Sequence, residues 1–420
     1  MKSVFYVTNV ICGKLIAASS FSHPPSDNEE NLIIYINDPN FFNVSKWTNY
    51  TPKGILISSN SIFSHIVSYF ISKETPVAIV TNSEIANLWN TKICIDFTQQ
   101  TIFKCDSTTF SCQYNKKTHI IPEITDKLST KNGVPVELSA TIKNWDNVRV
   151  ANDNHVKNIG LICTEFFLEM ANDNFESVYT SFQKICSCFP DGKISIRLYD
   201  YDKNKSKISL TNESFSRRGV RVYDNKQVKS IVETQIKCCK LLSEHFDIEV
   251  VIPFVTNVAD LQRIKKQLDP LFDSMSICSM IETPAAYFSV QQFSSLVQQF
   301  SIGTNDLLQY FFAYDRDFVH DSENYIDPYT KALLSFLLLY PDELKNRTRI
   351  CGQLPLYPFM LDVLISLGFT KFSIAAPAFP MISAKIRNIE SKRIDTINEI
   401  CNHSETDLQV KEYIFRTFHE

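Results

Sequence analysis

From residue 133 onward, short apolar runs alternate with longer segments of helical periodicity. The apolar runs stand in "NIGLICTEFF", "KISIRLYD", "EVVIPFVT", "SICSMIETP", "QFSIGTNDL", "TRICGQ" and "KFSIAAP". Between them, stretches such as 260–268 and 358–367 repeat apolar residues every three or four positions, which predicts helices. One more strand, at 133–140 or at 219–223, brings the total to about eight. Strand–helix units repeated over about 290 residues predict an α/β fold, a (β/α)8 barrel rather than an open doubly wound sheet.

The first part of the chain follows another pattern. Residues 1–105 predict a small β/α domain of strands with a few helices. A strand at 3–12, a turn at Gly13 and a second strand open it, and strands at 93–97 and 101–105 close it. The apolar run "GILI" at 54–57 breaks into Ser58, Ser59, Asn60 and Ser61, and His65 follows where a helix is predicted to start. The polar stretch 106–132 reads as a linker with one short helix, which leaves the barrel at 133–420.

Composition narrows the function classes. The chain has 420 residues, 44% hydrophobic and 21% charged, the balance of a soluble globular protein. A net charge of −4 and the absence of a basic stripe leave no footprint for nucleic acid or an anionic membrane surface. The longest apolar run, near 332–340, is far shorter than the roughly 20 residues of a membrane span. Asn9 and Lys14 interrupt the apolar N-terminus, so a signal peptide is not expected. The twelve cysteines lack paired metal-finger spacing. Most are expected to be reduced and buried, in a cytoplasmic protein, with no zinc site.

Glycine is scarce, 9 in 420 residues against an average of about 7%. A chain this poor in glycine is expected to keep one mainly where the backbone requires it. In a (β/α)8 barrel, chemistry gathers at the C-terminal ends of the strands. The apolar runs here stop at Glu165, Arg197, Glu282, Asn305 with Asp306, and Cys351. Singly, each is an ordinary loop residue. Together, acids that can share a metal, an arginine and a cysteine mark a reaction site.

These residues sit within longer signatures. "FSIGTNDLLQYFFAYDR" (300–316) and "MIETPAA" (280–286) resemble the PEP-utilising enzyme family, closest to the PEP-binding barrel of enzyme I of the bacterial phosphotransferase system. "NIGLICTEF", "IRLYD", "SRRGVR", "VVIPFVTNVADL" and "ICGQ" match in order. "GILISSNSIFSHIVSYFISKETPVAIVTN" resembles the family's phosphohistidine segment, with Ser64 and His65 at the phosphorylated position and Pro76 opening the next strand. Gly54, Gly160, Gly219, Gly303 and Gly352 all fall inside these motifs.

The resemblance implies an N-terminal swivelling phosphohistidine domain beside the barrel. It implies a PEP-dependent phosphotransferase that phosphorylates itself on His65, releases pyruvate and passes the phosphoryl group to a protein or small-molecule acceptor. Glu282 and Asp306 would hold Mg2+, as hard oxygen donors. Arg197, Arg218, Asn305 and Arg316 would bind PEP, and guanidinium forks suit an in-line phosphoryl transfer. Cys351 would protonate the enolate. His65 at a helix start favours negative charge through free backbone N–H groups. The family also implies a homodimer.

Three departures stand out. Cys163 replaces a family arginine, a lost charge-assisted bond of roughly 1.5–3 kcal/mol, and Arg217 beside Arg218 is the candidate to compensate. Ser, Asn and Phe63 replace the Gly-Gly and Thr of the histidine turn. "FSHPPSDNEENLIIYIND" runs straight from one strand to the next, where enzyme I inserts the helical domain that docks its phosphocarrier. An ATP-binding domain, which the synthase and dikinase reactions need, is not expected either. The alternative function is a catalytically degenerate relative that acts as a regulatory or binding module.

Overall fold

The computed structural model describes residues 2–5, 10–20, 31–37, 50–58, 69–71, 73, 75–97, 101–105, 128–168, 174–201, 218–268, 275–314 and 327–419. His65, Arg217, Arg316 and most of the predicted linker lie outside the described residues. The chain divides into two compact units. The first comprises Met1–Glu123, Phe312–Asp327 and Pro380–Ile382, and the second comprises Ile124–Phe311, Pro328–Phe379 and Ser383–Glu420.

The first unit is built on a seven-stranded mixed sheet of order β1-β5-β4-β3-β2-β6-β7. Its strands are β1 (Lys2–Phe5), β2 (Val10–Ala17), β3 (Leu32–Ile36), β4 (Gly54–Ile57), β5 (Val77–Ile79), β6 (Lys92–Asp96) and β7 (Thr101–Lys104). The run β2-β3-β4-β5 is parallel, and antiparallel strands close both edges. "LIIYI" of β3 and "GILI" of β4 are buried along their whole length, as parallel strands covered on both faces are. Ile11, Leu15, Ile33, Tyr35, Leu56, Ile85, Ile93 and Phe97 belong to its core.

One expectation changes in this unit. Gly13 is not a turn: β2 runs through it to Ala17. The Asn31 carbonyl packs where a Gly13 side chain would stand and accepts from the Lys14 N–H at 2.9 Å. Glycine here answers a close backbone approach rather than a reversal. In addition, Cys12 and Cys94 are disulfide-bonded. They face each other across β2 and β6, with Cα atoms 4.1 Å apart. The other described cysteines are free thiols, most of them buried.

The second unit is a closed barrel of eight parallel strands, order β10-β11-β12-β13-β14-β15-β8-β9. The strands are β8 (Glu137–Ile142), β9 (Ile159–Ile162), β10 (Lys193–Arg197), β11 (Asp247–Ile252), β12 (Ser276–Ile281), β13 (Gln299–Gly303), β14 (Thr348–Cys351) and β15 (Lys371–Ala375). Of the two candidates for the eighth strand, the earlier one is β8, and Gly219–Val222 forms a 3-10 turn. Helices Val258–Leu268 and Met360–Ser366 stand where periodicity predicts them. Among the described residues no helix is long and apolar enough to cross a membrane.

The barrel interior is not uniformly apolar. Leu161, Cys163, Val251, Cys278 and Met280 form one cluster. Beside it, Arg349 of β14 reaches Glu249 of β11 at 2.8 Å, and Ser195 of β10 donates to the same carboxylate at 2.8 Å.

Candidate active site

The site is assembled from strand ends that turn at once into helices. β12 stops at Ile281, and Pro284 occupies the first turn of helix Pro284–Phe288, with Thr283 as its N-cap. A proline there fixes the helical φ and lacks only an N–H that would be unpaired anyway. Glu282 is held in that junction and is buried, 1% exposed. Its Oε2 accepts from the Phe254 N–H at 2.9 Å. β13 likewise ends at Gly303, and Thr304–Phe311 begins directly with Asn305 and Asp306 in its first turn. A Cβ on Gly303 would stand 2.7 Å from Glu282 Cγ, so this glycine makes room for the carboxylate.

Glu282 and Asp306 share one field. Burial pushes the Glu282 carboxyl up to about 8, and the Asp306 and Asp200 carboxylates add to the shift against Arg197. Arg218 approaches the pair from the turn after residue 217, with Nη1 3.6 Å from Asp306 Oδ1. Arg221 points elsewhere: it pairs with Asp260 at 3.5 Å.

Arg197 ends β10 and is itself buried. Its guanidinium pairs with Glu165 and lies 3.4 Å from Asp200. Burial opposes its charge, but Glu165, then Cys163, Asp200 and Glu282, outweigh that and hold it ionised well above the ordinary arginine value. Its Nε is buried with no hydrogen-bond partner among the described residues. The end of β10 is fixed from behind. The Thr164 hydroxyl donates to the Arg197 carbonyl at 2.8 Å, and buried Gln235 donates to that hydroxyl at 2.8 Å.

Asn305 and Cys351 meet through backbone. The Gln353 N–H donates to Asn305 Oδ1 at 3.0 Å, which leaves the Asn305 amide N–H groups as its donors. Gly352 makes this possible with φ +102°, because a Cβ there would stand 2.4 Å from the Thr304 hydroxyl. Cys351 closes β14, is 2% exposed, and its Sγ lies 2.8 Å from the Ser301 hydroxyl.

Glu282, Asp306, Asn305, Arg197, Arg218 and Cys351 therefore converge on the C-terminal ends of β10 to β14. His65 and Arg316 lie outside the described residues. Cys163 packs in the apolar cluster with Leu161 and Met280. The sequence signal for Glu165 as a strand-end acid is met by its contact with Arg197. Asp200 and Phe254 were not singled out, although they stand inside the quoted "IRLYD" and "VVIPFVTNVADL".

Comparison with known proteins places this site in a family. Residues 121–391 match the family described as PEP-utilising enzyme, PEP-binding domain. The chain belongs to the PEP-utilising enzymes. It is 23% identical over 388 residues to multiphosphoryl transfer protein 2 of Escherichia coli, covering 86% of this chain and 46% of that protein. It is 24% identical over 427 residues to the phosphoenolpyruvate-protein phosphotransferase of a Bacillus species, covering 94% and 73%. With that of Streptomyces coelicolor it shares 28% over 272 residues, covering 61% and 48%. The chain thus spans under half of two of these relatives and about three quarters of the third. The family match covers all eight strands of the barrel.

Proposed function

We propose that this chain is a PEP-dependent phosphotransferase that phosphorylates itself on His65 and passes the phosphoryl group to a protein or small-molecule acceptor. The observation that carries this reading is the meeting of two carboxylates and two guanidiniums at the C-terminal face of the barrel, within residues that match the PEP-binding family. The relatives' names, two of them phosphoenolpyruvate-protein phosphotransferases, support the same reaction class.

A divalent cation fits the carboxylates. The Asp306 carboxylate adds to the cost of ionising buried Glu282, a conflict that a cation relieves. Among the described residues no three metal-ligating side chains gather. Mg2+ binds one or two carboxylates and keeps waters or substrate phosphate as its other ligands. When bound, it would neutralise charge on the transferred phosphoryl group.

The chain's own residues supply the rest. Arg218 holds the phosphate, Arg197 adds positive charge at the floor, and the Asn305 amide donates to the substrate. In the transfer, the P–O bond of PEP breaks as an N–P bond forms on the His65 imidazole. The enolate left behind takes the Cys351 proton at its methylene carbon and leaves as pyruvate, and water restores the thiol. The polar stretch before the barrel would let the His65 domain swing to its acceptor. A homodimer fits the same reading.

Incubation with PEP and Mg2+ tests this. Acid-labile phosphate should appear on the protein with one pyruvate per label, and His65→Ala should abolish both. A folded protein that binds PEP yet yields neither would overturn it. The apolar packing of Cys163 favours a second reading, a PEP-binding module without turnover. That reading predicts binding without label, and no gain from Cys163→Arg.

A further inference from the structure

Phe254 follows β11 with φ +48°, a left-handed conformation that bulky residues rarely adopt. Three contacts depend on it. Its N–H donates to Glu282 Oε2 at 2.9 Å. Its ring carries the Arg218 guanidinium 5.6 Å from the centroid, within cation–π range. The ring of Tyr310 meets it edge-on at 6.2 Å. The turn beside Arg218 is shaped around it as well. Gly219 has φ +57°, and a Cβ there would stand 2.3 Å from Phe254 Cβ. Phe254 itself is 4% exposed, so this backbone is held by packing on all sides.

We propose that Phe254 is the positioning residue that ties the guanidinium of Arg218 to the carboxylate of Glu282. It does so with one strained amide and one aromatic face, and it sets where the substrate's anionic end is held. The left-handed backbone thus falls at the residue whose amide donates to Glu282 and whose ring carries Arg218. The ring gives Arg218 a flat support, and the guanidinium edge reaches Asp306 with Nη1 3.6 Å from Oδ1. An aliphatic side chain of similar size would fill the space without orienting the guanidinium. The proposal rests on the reading that Arg218 binds the PEP phosphate, but its core, the support of Arg218, can be tested apart from that.

The full-length protein is compared as wild type, Phe254→Leu and Phe254→Tyr. Arginine modification by phenylglyoxal, followed by peptide mapping, reads the state of Arg218 with no PEP present. Phe254→Leu should speed its modification several-fold, and Phe254→Tyr should restore the wild-type rate. Titration calorimetry with PEP and Mg2+ should show affinity about two- to fivefold weaker for Phe254→Leu, the worth of one partly exposed cation–π contact. In an Arg218→Met background the same change should have little further effect, which a merely structural role does not predict. Wild-type modification kinetics in Phe254→Leu would overturn the proposal, and so would a full additional loss in the Arg218→Met background. A wild type that binds no PEP would instead overturn the functional reading, and the phenylglyoxal result would still decide the role of Phe254.

Discussion

The Glu282 carboxyl, pushed from an ordinary 4.5 up to about 8 by burial and by Asp306 and Asp200, is a residue whose ionisation the fold opposes. The folded state keeps a proton there that the unfolded chain releases. Its contribution to stability is therefore complete below about pH 4.5 and is lost as pH rises through about 8. The cation-free protein should lose urea resistance over that window, Glu282→Gln should flatten the loss, and Mg2+ should restore the alkaline side. Gly303→Ala makes a steric counterpart, because its methyl would stand 2.7 Å from Glu282 Cγ. It should cost about 1–3 kcal/mol in denaturation and weaken Mg2+ binding by calorimetry more than any exposed Gly→Ala change. At this scale much of the site was legible. Glu282, Asn305, Asp306 and Cys351 stand at the ends of apolar runs, and a strand end is visible in one sequence. The roles of Phe254 and Asp200 were not, because each depends on a neighbour from another strand. The chain's scarce glycines pointed correctly to Gly303 and Gly352, where side-chain room and positive φ were required.

Strands show which structural claims a pattern can carry. The apolar runs placed all eight barrel strands, leaving only the choice between 133–140 and 219–223. Gly219 settles that choice, since its positive φ turns the chain where a strand would have continued. Pattern alone did not foresee β2 running through Gly13, because the reason lies on β3's side, in the Asn31 carbonyl. Nor did it foresee the ion pair that β11 and β14 send across the barrel interior. Burial works against the Glu249 charge, but Arg349 reverses that and holds the carboxyl below its ordinary value. Such a pair is costly to break and not costly to replace. Glu249→Gln should destabilise the chain by about 3–5 kcal/mol, since it strands a buried guanidinium. Glu249→Met with Arg349→Met should be neutral or stabilising by about 1–4 kcal/mol. Denaturant titration of the three proteins separates these outcomes, and a single variant as stable as the double would show that the pair contributes nothing.

Across the whole molecule the two units are secured differently. The barrel closes on itself, so every strand has two hydrogen-bonded neighbours. The first unit is an open sheet with two edges, and Cys12–Cys94 joins β2 to β6 near one of them. The bond links residues 82 apart in sequence, a long loop whose closure restricts the unfolded chain. Cysteine spacing gave no sign of it, because the partners meet only once β6 has paired with β2. Bonds of this kind typically contribute 2–4 kcal/mol, about the range expected here. Reduction of the intact protein should therefore act on one unit only. Followed by hydrogen exchange and mass spectrometry, peptides from β2, β3 and β6 should exchange faster by about 30- to 1,000-fold, the rate equivalent of that energy where exchange requires unfolding of the unit. Peptides from β8 to β15 should keep their rates. Cys94→Ala should reproduce the reduced pattern without added thiol. Equal protection in both states would mean that the sheet's apolar core, rather than the bond, holds this unit together, and that a reducing compartment leaves it unchanged.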